Sequence, residues 1–120
     1  MNPKQFLMLG GVVLLILGVL GFILPKGELI GRTLWFDNAE NYAHTVLGIV
    51  AIIASYALGA SAQRTLTGIV GVVALFFGVW GFFRPTFDGA NLETLDNIIH
   101  LAVAVWAYLS MRGRPAMAGM

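Results

Sequence analysis

Four long runs without a charged residue divide the chain. Residues 5–25, 41–63 and 65–83 contain no Asp, Glu, Lys or Arg; a fourth run, 97–111, extends to 92–111 if Glu93 and Asp96 sit at its edge. About 20 helical residues cross the ~30 Å hydrocarbon core of a bilayer. No segment alternates polar and apolar positions with period two, and backbone groups in lipid must bond one another, so helices rather than strands are predicted. The expected spans are 5–24, 40–60, 65–83 and 93–111. The first run is longer than the apolar region of a signal peptide, and no small-x-small cleavage site follows it. Leu24-Pro25-Lys26-Gly27 reads as its helix stop, and the span is expected to be retained.

The pattern occurs twice. Gly11 to Pro25 aligns with Gly71 to Pro85, 60 residues on, with nine of fifteen positions identical, among them three Gly and the Pro. Glu40-Asn41-Tyr42-Ala43-His44 aligns with Asp96-Asn97-Ile98-Ile99-His100 at an offset of 56. Repeats of about 5–60 and 65–111, each with two spans, enter the membrane in the same direction and are related by a pseudo-twofold axis along its normal. Helical spacing places Asn41, His44, Gly48, Ala51, Ser55 and Gly59 on one stripe, and Asn97, His100, Ala104 and Ala107 on another. Gly11, Gly18 and Gly21 share a face of the first helix, as do Gly71, Ala74, Gly78 and Gly81 on the third. Small residues mark close packing of membrane helices, and polar residues there face the bundle interior. The expected fold is an all-α integral membrane protein: a single domain, 1–120, built as a four-transmembrane-helix bundle with a short mobile tail at 112–120.

Composition agrees. Hydrophobic residues form 58% of the 120-residue chain and charged residues 11%, far below the roughly 25% charged of soluble domains. The net charge of +1 excludes a basic nucleic-acid binder, and the absence of Cys excludes disulfides, thiolate metal sites and a Cys nucleophile. The charges are nevertheless unevenly placed. The side holding both termini carries Lys4, Arg64, Arg112 and Arg114 and no acid; the loop side carries Lys26, Arg32 and Arg84 against Glu28, Asp37, Glu40, Asp88, Glu93 and Asp96. The positive-inside rule therefore points both termini to the cytoplasm. Trp35, Tyr42 and Trp80 are placed for an outer aromatic belt, and Tyr56, Trp106 and Tyr108 for an inner one.

Taken together, Gly18-x-x-Gly21-Phe22 with Pro25, Asn41-x-x-His44, and their counterparts Gly78-x-x-Gly81-Phe82 with Pro85 and Asn97-x-x-His100 resemble the bacterial membrane family called domain of unknown function 4383. The resemblance runs from about Gly10 to Tyr108. It implies a small multi-pass protein of a bacterial membrane and no established activity; with the charge bias, the expected location is the bacterial cytoplasmic membrane. Arg84, where the first half has Leu24, departs from the repeat.

Three readings compete for the Asn-x-x-His pair. His44 and His100, at equal depth across a twofold, could ligate a b-type haem or a chlorophyll-type pigment, with Asn41 and Asn97 bonding a ring nitrogen or substituent and the Gly and Ala faces leaving room for a planar ring. With Glu40 and Asp96, expected to be wet, the histidines could hold Zn, Mn or Fe. In the third reading these residues only cap and lock helices, the acids at the positive end of the macrodipole and Asn as a cap. No nucleophile elbow, phosphate-binding loop or His-Glu-x-x-His is present, so no enzyme is expected. The favoured expectation is a structural or accessory subunit, its partners the lipid bilayer and other membrane-protein subunits. A haem- or pigment-binding protein is the alternative.

Overall fold

A computed structural model describes residues 1–25, 28–30, 34–35, 37–83, 86–87, 90–91 and 94–113. Lys26, Arg32, Arg84, Asp88, Glu93 and the part of the expected tail from Arg114 onward lie outside them. Four helices dominate: α1 (Pro3–Ile23), α2 (Asn38–Ala57), α3 (Ala60–Phe83) and α4 (Thr94–Met111). Among the described residues α1, α3 and α4 are long and apolar enough to cross a membrane. At 20 residues α2 has the length, but its polar opening, Asn38 to His44, makes it the least apolar of the four. The molecule is 43 Å long, about the thickness of a bilayer with its headgroups.

Local chemistry explains where the helices begin. Asn2 Oδ1 accepts the Gln5 N–H at 2.9 Å while Gln5 Oε1 accepts the Asn2 N–H at 3.1 Å, with Pro3 as the first helical residue. Asp37 and Glu40 make the same reciprocal box at α2, at 2.9 and 3.4 Å. The cap is therefore Asp37 and not an Asn of the Asn-x-x-His motif, and α2 starts earlier than the predicted residue 40. Only Leu58 and Gly59 separate α2 from α3. As a result α3 begins at Ala60 rather than 65, and Arg64 lies inside a helix instead of a loop. Its guanidinium reaches the end of α4, donating from Nη1 to the Met111 carbonyl and from Nη2 to the Gly113 carbonyl at 3.2 Å. This supplies the cation that the last turn of α4 lacks.

The two longer connections carry short antiparallel ribbons that the sequence pattern had not suggested. β1 (Glu28–Ile30) pairs with β2 (Leu34–Trp35), and β3 (Thr86–Phe87) pairs with β4 (Ala90–Asn91). They are too short to show a two-residue alternation.

Packing is by hairpins. α1 lies chiefly against α2 and α3 against α4, while α1 alone makes the main contacts between the pairs, with α3 and α4. The buried apolar centre is small, formed by Phe6, Leu7, Ala51, Ala54 and Ala107, with Leu66, Val70, Val103 and Trp106 around it. Large apolar side chains point outward instead, Ile16 at 53% exposure and Val72 at 68% among them. A soluble protein could not tolerate such a surface; in hydrocarbon it meets its own kind.

Candidate functional site: a polar layer at the loop end of the helices

Asn41 and Asn97 are each only 1% exposed. Both carboxamides turn toward the neighbouring helix and settle on a glycine. A Cβ at Gly21 would overlap Asn41 Oδ1 and lie 2.7 Å from its Cγ; a Cβ at Gly81 would overlap Asn97 Oδ1 and lie 2.6 Å from its Cγ. Each oxygen thus occupies the space over a glycine Cα–H, the geometry of a weak Cα–H···O contact. One turn down, the Asn41 carbonyl would be 3.0 Å from a Cβ at Gly18, and the Asn97 carbonyl 3.1 Å from one at Gly78. Lower still, Gly11 faces Gly48 and Ala51, and Gly71 faces Ala104 and Ala107. Three glycines in each hairpin therefore meet partners at matching positions, 60 and 56 residues apart. One seat differs: Gly18 is overlain by Thr45, whose hydroxyl donates to the Asn41 carbonyl at 2.7 Å, whereas Gly78 is overlain by Leu101.

The two acids are not wet, as the sequence had suggested, but buried: Glu40 is 7% exposed and Asp96 3%. Both lie in the first turn of a helix, where the macrodipole favours negative charge, and Glu40 spends one oxygen on the capping box. Asp96 Oδ2 stands 3.8 Å from His100 Nδ1, an electrostatic contact beyond hydrogen-bond length.

His44 and His100 are half-buried, with both Nδ1 atoms shielded from solvent. The His100 ring lies 6.1 Å from that of Phe77 on α3.

Among the described residues no three His, Asp or Glu side chains converge where a metal ion could be held. Neither Asn carboxamide oxygen accepts from its histidine; the two oxygens lie over Gly21 and Gly81 instead. Nor do the glycine faces form a slot for a planar ring. Gly11, Gly18, Gly21, Gly48, Gly78 and Gly81 are all closed over at contact distance by the partner helix of their own hairpin.

A second buried polar set lies at the opposite end, where the sequence had singled out only Ser55. Gln63 Nε2 donates across the α2–α3 turn to the Ser55 carbonyl at 3.0 Å, Thr67 Oγ1 donates to the Gln63 carbonyl at 2.8 Å, and Ser55 Oγ to the Ile52 carbonyl at 2.6 Å. Ser110, in the last turn of α4, is also fully buried. The spacing of Gln63 and Thr67, one helical turn apart after a two-residue connection, was the available signal. Compared with family models, curated proteins and solved structures, the chain matches none.

Proposed function

We propose that the chain is a non-enzymatic, four-span protein of a bacterial cytoplasmic membrane, made of two parallel two-helix repeats and acting as a structural or accessory subunit of a larger membrane complex. The observation that carries this reading is the paired Asn-on-Gly seat, Asn41 on Gly21 and Asn97 on Gly81. The most deeply buried amides of the loop-end layer are engaged in helix packing, so they are not displayed toward a substrate. The matched contacts of the two hairpins favour the repeat, and the acid-free end favours cytoplasmic termini. Membership of domain of unknown function 4383 is part of the same proposal and rests on the motifs quoted above. The accessory role follows from a small bundle with an extensive lipid-facing surface and no described catalytic set.

Purification from bacterial membranes in mild detergent, with an absorption spectrum and metal analysis, tests the proposal. The expected preparation is colourless, free of stoichiometric metal, and retains a larger membrane-protein partner. A Soret or chlorophyll band that disappears in His44→Ala and His100→Ala would replace this reading with a cofactor-binding one. Isolation of the chain as a lone species under every mild condition would contradict the accessory role.

A further inference from the structure

The end of the molecule opposite the polar layer has a surface whose charge is all of one sign. No acid occurs in residues 1–27, 41–87 or 97–120, which contain the start of α1, the α2–α3 turn and the end of α4. The fold gathers the cations of this end. The start of the chain folds onto the end of α4: the Met1 backbone touches Gly113, the Trp106 indole N–H donates to the Met1 sulfur at 3.0 Å, and Phe6 packs edge-on against Trp106 with ring centroids 4.6 Å apart. That contact places Lys4, in the first turn of α1, at the same end of the bundle as Arg112. Arg64 is committed to the α4 carbonyls, whereas Lys4 and Arg112 have no carboxylate partner among the described residues. Arg112 is exposed, with its guanidinium 5.9 Å from the centroid of the Tyr108 ring. Tyr108 and Tyr56 are themselves 59% and 74% exposed at this end. Lys4 is also badly placed for its own helix, since a cation in the first turn opposes the macrodipole and no acid there offsets it.

We infer that this end is a binding surface for the headgroups of acidic phospholipids, with Lys4 and Arg112 taking the phosphates and Tyr56 and Tyr108 resting at the level of the glycerol backbone. The proposal rests on the membrane-spanning reading. An anionic leaflet is the partner this surface fits: Lys4 and Arg112 meet no carboxylate among the described residues and the neighbouring tyrosines are amphipathic, the pairing found at membrane–water interfaces. The opposite end, where acids outnumber cations, would be repelled by the same leaflet.

The test uses the full chain in nanodiscs that contain phosphatidylcholine with or without phosphatidylglycerol. Native mass spectrometry after release counts the retained lipids, and inorganic phosphate is added in a parallel arm. Each basic side chain near an anionic surface favours binding by about fivefold. The account therefore predicts preferential retention of phosphatidylglycerol, reduced about fivefold in Lys4→Gln or Arg112→Gln and about thirtyfold in the double variant. Phosphate should not compete, because it lacks the glycerol and acyl parts that seat a lipid beside the tyrosines. Circular dichroism confirms that each variant keeps its helices, and Lys4→Arg should restore retention. Equal retention of the two lipids, or a preference untouched by both substitutions, overturns the inference. Competition by free phosphate would show an anion site without lipid specificity and would also overturn it. Failure of the chain to enter nanodiscs of either composition would count against the membrane-spanning reading instead.

Discussion

At the scale of single residues, the tightest constraint falls on glycines that receive an asparagine. Gly21 and Gly81 need no unusual backbone; what they provide is absence of a Cβ where a carboxamide oxygen must sit. Gly21→Ala or Gly81→Ala pushes the Asn away and separates the helices, at a cost of about 1–3 kcal/mol typical of overpacking. Chemical unfolding in detergent measures this. The penalty of Gly21→Ala should shrink when Asn41→Ala is present, because the displaced group is gone; additive losses would show that the two residues do not form one contact. Asp37→Ala should destabilise by about 1 kcal/mol through loss of the α2 cap, whereas Asn38→Ala, exposed in the first turn, should be close to neutral. The histidines were recognisable in the sequence as a matched pair. Their surroundings were not, because which face of Asn41 and Asn97 meets which helix depends on the crossing of α1 with α2 and of α3 with α4.

At the scale of elements, the helices were legible because charge-free runs of this length leave the backbone little alternative. Their boundaries were less so. Asp37-x-x-Glu40 is a capping box written in the sequence, yet the charged residues were read as an interface rather than as the first turn of α2. The same reading treated Glu40 and Asp96 as wet, although a first-turn acid can be buried when caps and dipole favour its charge. Arg64 was likewise read as a loop cation; the two-residue α2–α3 connection puts it within α3, where it terminates α4 from a neighbouring helix. Arg64→Gln should therefore act on a helix other than its own. Hydrogen exchange is expected to speed up over residues 108–113 while the start of α3 stays protected; faster exchange confined to residues 60–66 would contradict that assignment. The ribbons β1–β2 and β3–β4 escaped notice since segments of two or three residues are too short to carry a period.

At the scale of the whole molecule, two helical hairpins, α1–α2 and α3–α4, meet mainly through α1; the proposed function has them cross the membrane in the same direction. The contacts at Gly11, Gly21 and Gly81 with their partners make each hairpin a close-packed unit, while Met1, Phe6, Trp106 and Gly113 join the start of α1 to the end of α4. Removing that junction by Trp106→Ala should leave helix content unchanged but loosen the two hairpins relative to each other. Spin labels on α2 and α4 would read this as a broadened distance distribution; an unchanged distribution would show that Trp106 does not contribute to docking. The proposed four-span architecture depends on whether α2 crosses, since its polar opening leaves it the least apolar helix. The chain contains no Cys, so single cysteines report topology without background. Labelling from one side of sealed vesicles with a membrane-impermeant maleimide, at Glu28→Cys, Gly59→Cys and Arg112→Cys in turn, is the most direct measurement. The account predicts that residues 59 and 112 label from one side and residue 28 from the other; residues 28 and 59 labelling from the same side would contradict it.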